Sequence, residues 1–499
     1  MRVAADASGS VDQPWTLPES WTWVALRDVG SWTSGGTPKS TEPGYYNGPI
    51  SWFRITDLNE GRLRRSEKSL TIRGLQASSA KLIEAPFLMF AMYGASIGKM
   101  AISEIDASTN QAIACCSPSE AANIDFLFLA LQRSKKSIVA LGQGGAQPNI
   151  SQRILLDCRI PLPPLSEQRR IVERIESLFA EIAEGEAALE DARKGLETFC
   201  RALLKAAATG ELTRDWRENN QPKETGHDLL ARIKAERDAT PKSGRGKRAA
   251  ASAPLDTSDL SELPEGWAWA RISDVGVVQL GRQRSPQHHQ GENMHRYLRV
   301  ANVFEDRIEL GDVKEMNFTP PELKTFELRR NDILLNEGQT PDLLGRPAMW
   351  RSDERGMCFQ NTLLRFRATE PMEPEFCFLV FRHYLHAKRF KQESQITTNI
   401  AHLSSGRFSV IEFPVPPIDE QREIVRRALT ALDSTVDTKL VFEQQKADAT
   451  RLRQAILKSA FEGTLVPQEP TDEPASSFLS RLKAQESANP KQMKRRKKV

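Results

Sequence analysis

The sequence predicts an α+β chain. Two tandem copies of a mixed α/β domain are separated by two long helices, which pair as an antiparallel coiled coil with pseudo-two-fold symmetry. Three observations predict this. The chain contains itself twice, each copy passes from short β-rich runs into a long helical pattern, and the first of those patterns carries an apolar stripe too long for a lone helix.

The repeat is direct. Leu17-Pro18-Glu19-Ser20-Trp21-Thr22-Trp23 returns as Leu263-Pro264-Glu265-Gly266-Trp267-Ala268-Trp269, and both strings run on to Asp-Val-Gly at Asp28 and Asp274. Pro161-Leu162-Pro163-Pro164-Leu165-Ser166-Glu167-Gln168-Arg169 matches Pro414-Val415-Pro416-Pro417-Ile418-Asp419-Glu420-Gln421-Arg422, and that register holds without a gap to Gly210 and Gly463. A third pair begins at Leu229 and Phe478. The order that follows is an N-terminal tail (1–16), a first mixed domain (17–159), a helical region with one long and one short helix (160–239), a linker (240–262), a second mixed domain (263–412), a C-terminal helical region (413–488) and a basic tail (489–499).

Within each mixed domain, runs such as Ser51-Trp52-Phe53-Arg54-Ile55 and Tyr297-Leu298-Arg299-Val300 alternate with Gly, Pro and Asn turns, which reads as short strands. Trp21 and Trp23, like Trp267 and Trp269, alternate with period two, so at least one of each pair belongs to the core. The long helices begin near Ser166 and Asp419, good N-cap residues, and stop at Gly210 and Gly463, which suit a left-handed C′ position. About 44 residues at 1.5 Å each give roughly 65 Å of helix, which needs a partner to bury its stripe. In the first helix Ile175, Leu178, Ile182, Leu189, Leu196, Phe199 and Leu203 form that stripe. In the second it is carried by Leu429, Leu432, Val436, Leu452 and Ile456.

Composition narrows the function. Of 499 residues 39% are hydrophobic and 27% charged, an ordinary soluble balance. The apolar stretches at 87–92 and 126–131 are far short of the ~18 residues a membrane span needs. The first residues carry no apolar leader, and the six cysteines include no C-x-x-C pair, so a reduced cytoplasmic protein is expected. A net charge of +4 permits nucleic acid without arguing for it.

Catalytic signatures are missing. Gly94-Ala95-Ser96-Ile97-Gly98-Lys99-Met100 imitates a phosphate loop but is one residue short between its glycines and ends in Met100, so a strand–turn–strand is expected. Gly142-Gln143-Gly144-Gly145 lacks the third glycine of a dinucleotide fingerprint. His383 and His386 share a helix turn without ligand partners at metal spacing, and no G-x-S-x-G elbow occurs. The expected chain is non-catalytic, with no cofactor or metal of its own.

Other strings carry a resemblance. The L-P-x-x-W-x-W opening, the Gly35-Gly36-Thr37-Pro38 turn, Tyr45 with Gly48-Pro49-Ile50-Ser51-Trp52, Phe87-Leu88-Met89-Phe90 followed by the 94–99 turn, Asn110-Gln111, Gln147-Pro148-Asn149-Ile150-Ser151 and P-L-P-P-L-x-E-Q-R-x-I-V recur in this order. The order, found in both copies, resembles the specificity subunit of type I restriction–modification systems. The resemblance implies two target recognition domains, each reading half of a bipartite, asymmetric site on double-stranded DNA. It implies long helices that set the spacing and dock two modification (methyltransferase) subunits. It further implies restriction subunits carrying the motor and nuclease, with S-adenosylmethionine, ATP and Mg held by partners, and no membrane. Two antiparallel copies related by a pseudo-two-fold axis suit the local two-fold axes of duplex DNA.

The second copy departs in places. It has Leu280-Gly281-Arg282-Gln283-Arg284 for the Gly-Gly-Thr-Pro turn, an extra segment at 340–344, and His402-Leu403-Ser404 where the first has Asn149-Ile150-Ser151. Different recognition surfaces would explain this. Residues 17–160 hold 15 Lys+Arg against 12 Asp+Glu, whereas residues 263–412 hold 20 of each. Local clusters are more informative than totals. Candidate DNA contacts are Arg62, Arg64, Arg65, Lys68 and Arg73 in the first copy and Arg282, Arg284, Arg296 and Arg299 in the second. Polar loops supply Gln143, Gln147, Asn149, Gln395 and Asn399.

Overall fold

The computed structural model describes residues 15–142, 149–239, 255–397 and 400–488. Gln143, Gln147, Asn399, linker residues 240–254 and the basic tail lie outside them. The chain divides into two compact units, Met1–Ala188 with Glu443–Val499, and Leu189–Phe442. Each contains one mixed domain and a segment of each long helix.

In the first unit, Thr22–Ala25 pairs antiparallel with Arg159–Leu162, so the domain's first strand meets its last. Between them lies a sheet in the order Gly30–Ser34, Ile113–Pro118, Phe87–Ala91, Met100–Ser103 and Arg62–Leu63. A second sheet orders Lys68–Leu70, Tyr46–Phe53 and Ala107–Thr109. Phe87–Ala91 is wholly buried, the continuous apolar run expected of a central strand covered on both faces. Helix Ile124–Ala140 packs Phe126, Leu127 and Leu131 on the core. Its N-cap Asn123 accepts from the backbone N–H groups of Asp125 and Phe126. The 94–99 segment is a turn between antiparallel strands, as its spacing predicts.

The second unit repeats this plan. Ala268–Arg271 pairs with Glu412–Val415. Its main sheet orders Gly276–Leu280, Leu363–Ala368, Ile333–Asn336 and Pro347–Met349, and its second sheet Lys314–Asn317, Met294–Leu298 and Cys358–Phe359. It also carries a small sheet ordered Gly338–Gln339, Ile400–His402 and Gln395–Thr397.

The central helix spans Leu165–Thr209 and the return helix Ile418–Phe461. Each starts one residue before the predicted cap, so Ser166 and Asp419 sit in the first turn instead. The helices end where glycine predicts: Gly210 and Gly463 adopt left-handed φ of 78° and 76°. A side chain at Gly210 would collide with Pro264 and Trp267, and one at Gly463 with Pro18.

Within each unit the helix segments run antiparallel. In the first, Arg453 forks onto Glu186 at 2.6 and 2.8 Å and lies over the Phe179 ring, while Ile171 and Ile175 share a core with Ile456, Leu457 and Ala460. In the second, Cys200 faces Thr435, and Leu204 and Ala207 share a core with Ile424 and Ala428. Ile175, Leu203 and Ile456 are buried, Leu178, Ile182 and Leu432 pack against the cores, and Leu189, Leu196 and Leu429 are half-buried. Phe199, Val436 and Leu452 point outward, about half exposed, contrary to their predicted place in the seam. Neighbouring rows containing Cys200, Thr435 and Arg453 face inward instead.

The start of each long helix is pinned by a buried glutamate. Glu167 accepts from the Trp21 indole at 3.0 Å and from Gln468 at 2.6 Å. Glu420 accepts from the Trp267 indole at 2.9 Å, from Thr213 at 2.7 Å and from the Arg217 guanidinium. Trp21 and Trp267 are core residues, whereas Trp23 and Trp269 are half-buried.

Candidate nucleic-acid interface

Each mixed domain brings two loops together by one hydrogen-bond pattern. In the first, Met92 N–H donates to Ala112 O at 2.8 Å and Ile150 N–H to Met92 O at 3.0 Å. In the second, Glu337 N–H donates to Thr362 O at 3.0 Å and Leu403 N–H to Glu337 O at 2.8 Å. The turn returns alike: Gly98 N–H donates to Ala91 O at 2.9 Å, and Gly345 N–H to Asn336 O at 3.0 Å. Beyond these anchors Tyr93 pairs with Asn149, and Gly338 with His402. Below them Ser151 and Ser404 cap short helices, each hydroxyl accepting from a backbone N–H three residues on.

The exposed groups on these tips differ. The first offers the Tyr93 ring and the Asn149 side chain, with Lys99 nearby in sequence on the same turn. The second offers the His402 ring, whose Nδ1 lies 3.3 Å from the Glu337 carboxylate. Tyr93, Lys99, Glu337 and His402 are absent from the candidates that charge and polarity single out. Aligning the copies through their shared glycines was the signal that could have found them.

The predicted cations fall into two kinds. Arg62 and Arg64 both engage Glu104, at 3.1 and 2.5 Å, and Arg62 also reaches Asp125. The Arg64 hydrogen bond holds the Glu104 carboxyl below the usual carboxylate range. Arg65 and Lys68 are exposed, and their side chains have no partner among the described residues. Arg73 lies over the Tyr45 ring.

In the second domain Arg296 pairs with Glu354 at 2.9 Å and Arg299 with Asp312 at 2.7 Å, while Arg284 donates to His289. Arg282 is buried, held by Glu322 at 2.8 Å, by Asn317 O and by the Phe318 ring face. Its guanidinium cannot reach a base edge without giving up those bonds, so it is a structural residue. Gln395 begins a strand of the small sheet.

Among the described residues no cluster of His, Cys, Asp and Glu could hold a metal. His386 lies 2.9 Å from Glu305, and burial pushes the His383 imidazole down to about 4. The six thiols are free, and no described helix is long and apolar enough to cross a membrane.

A family model described as type I restriction modification DNA specificity domain matches residues 18–190 and 264–446. The chain is 22% identical over 493 residues to the type I restriction enzyme EcoKI specificity subunit of Escherichia coli strain K12, covering 95% of this chain and 97% of that protein. It is 24% identical over 507 residues to the EcoBI specificity subunit of Escherichia coli, covering 95% and 94%. One similar solved chain, from work on assembly and conformational transition of a type I R-M system, has a TM-score of 0.63 at 19% identity and covers 91% of this chain and 100% of that one. The crystal structure of the HsdS subunit from Thermoanaerobacter tengcongensis has a TM-score of 0.50 at 20% identity, covering 91% and 99%.

Proposed function

Because the chain belongs to the type I restriction–modification DNA specificity family, we propose that it is the DNA sequence-recognition subunit of such a complex, in the cytoplasm and without catalysis of its own. Each recognition domain reads one half of a bipartite, asymmetric site. The long helices set the gap between half-sites and dock two modification subunits, which supply S-adenosylmethionine chemistry. Restriction subunits supply the ATP- and Mg-dependent motor and nuclease.

One observation carries the reading. A single hydrogen-bond skeleton occurs twice and ends in different exposed groups, which is what two readers of two different half-sites require. Docking is supported by the outward apolar side chains Phe199, Val436 and Leu440 on the helices, which a soluble chain exposes at a cost unless a partner covers them.

The test is methylation of a randomised duplex library by the chain assembled with its modification partner. The expected result is a motif of two unlike halves separated by a fixed gap. Deleting seven residues from both helices is expected to change the gap and leave each half-sequence as it was. Methylation without sequence preference would overturn the reading, and an unchanged gap would overturn the spacer role.

A further inference from the structure

If each domain reads half a site, the residues that choose the bases lie where the scaffold is constant and the exposed chemistry is not. The domains can be compared atom for atom around the paired tips. The anchors repeat: Met92 and Glu337 each donate to the neighbouring strand end and accept from Ile150 or Leu403. The supports repeat too, with Ser151 and Ser404 capping the helix below. Between anchor and support, Met92-Tyr93 becomes Glu337-Gly338 and Asn149 becomes His402. These positions occupy equivalent places in the two domains, because Met92 with Ile150 and Glu337 with Leu403 are held in the same hydrogen bonds beside them.

We infer that Asn149 with Tyr93 in the first domain, and Glu337 with His402 in the second, select one base pair each, and that the two pairs differ. This rests on the DNA-recognition reading above. The Asn149 amide is exposed and carries a donor and an acceptor side by side. That is the complement of adenine, whose major-groove edge offers the N7 acceptor and the N6 donor. The Tyr93 ring, 39% exposed beside it, gives an apolar surface for the methyl of the paired thymine.

The second tip cannot make that pattern. Its Glu337 carboxylate only accepts, which suits the cytosine N4 amino group. The His402 ring lies beside that carboxylate, its Nδ1 at 3.3 Å, and is 46% exposed. The first tip therefore selects an A·T pair and the second a G·C pair.

The test uses the full chain assembled with its modification partner on a randomised duplex library, reading methylation at every position of the motif. Asn149→Ala is expected to lower discrimination for adenine about tenfold or more at one position of one half-site. The other half and the gap should be unchanged. Glu337→Gln is expected to relax a cytosine or its paired guanine at one position of the opposite half. Both side chains sit at tips, so thermal melting of each complex should match the unsubstituted one. A variant that melts lower is replaced by Asn149→Ser or His402→Gln, with the same expectations.

The inference is overturned if the motif keeps every position, if all positions weaken together as for a phosphate contact, or if both variants relax the same half. Absence of any motif with the unsubstituted chain would defeat the recognition reading itself, a different outcome from an intact motif that the variants leave alone.

Discussion

In the first recognition domain Arg65 and Lys68 stand exposed, their side chains without an ion pair or hydrogen bond among the described residues. In the second, Arg296, Arg299 and Arg282 are each tied to an acid. The same contrast runs through the composition, +3 for residues 17–160 and balanced for 263–412. Two domains with one skeleton have thus divided their chemistry differently. On the proposed reading the first would hold phosphate with free cations, while in the second Arg296 and Arg299 are already paired at the surface and Arg282 is paired inside. Fold and charge are separable here, and it is the charge that varies.

The largest test of the comparison lies at the two buried glutamates. Glu420 is fully buried and its cationic partner Arg217 is half-buried, its side chain 17% exposed, whereas Glu167 has only neutral direct partners, Trp21 and Gln468. Removing one member of a buried ion pair strands the other charge, at about 3–5 kcal/mol. Arg217→Met is therefore expected to destabilise its unit by about that much. Gln468→Ala, which removes the hydrogen bond to the Glu167 carboxylate along with exposed ones to Ser20 and Gly463 O, should cost about 1.5–3 kcal/mol. Chemical denaturation followed by tryptophan fluorescence separates the two. Equal losses would mean that the ion pair adds nothing over the neutral arrangement.

Much of this architecture was legible before any coordinates. The duplication reads off the sequence because tryptophans, prolines and the helix-ending glycines are irreplaceable in their local roles. The helix seam was only half legible. Apolar residues fill two adjacent rows, and reading by hydrophobicity takes Phe199, Val436 and Leu452. Packing takes Cys200 and Thr435 in one unit and Arg453 in the other, where the Arg453 guanidinium lies over the Phe179 ring and reaches Glu186. Arg282 was misread for the converse reason: a charge looks like surface until its acid and its ring are found in space. The paired tips were invisible in either copy alone, since Tyr93 and Asn149 are 56 residues apart and meet only through the fold.

The cations give the next test, in the assembled complex. Each phosphate contact contributes about 0.9 to the slope of log affinity against log salt. Lys68→Ala and Arg65→Ala are each expected to lower that slope by about 0.9 and to weaken matched and mismatched duplexes alike. Arg296→Ala and Arg299→Ala should leave it unchanged, since their charge is already neutralised within the domain. A full loss of slope from Arg296→Ala would show that its bond to Glu354 opens on DNA, and the contrast between the domains would vanish.

A smaller effect separates the glutamates by pH. Burial pushes the Glu167 carboxyl above its ordinary range, with the Trp21 and Gln468 hydrogen bonds acting the other way. A raised folded pKa means that this group's contribution is fully present below its unfolded pKa and is lost as pH rises through the folded value. Glu167→Gln keeps an acceptor for the indole and removes the titration. Relative to the unsubstituted chain, its melting temperature should therefore rise from pH 4.5 to pH 7.5. A constant difference across that range would show that the carboxylate is as well accommodated in the fold as in water.

The smallest test concerns a residue under the second tip. Asn336 is fully buried, and neither atom of its amide has a hydrogen-bond partner among the described residues. The first domain has Ala91 at the equivalent place, with its N–H donating to Lys99 O at 2.8 Å as Asn336 donates to Arg346 O at 3.3 Å. An unsatisfied buried polar group costs about 1–3 kcal/mol, partly offset here by the packing an alanine would lose. Asn336→Ala should therefore stabilise the second unit by about 1 kcal/mol, visible as a rise of roughly 2–4 °C by calorimetry. Asn336 directly precedes Glu337, so the same variant should be scored for its motif. A more stable protein that has lost discrimination in one half-site would mean that the amide positions the tip at the expense of the fold. A more stable protein with its motif intact would mean that the second domain carries a burden the first has shed.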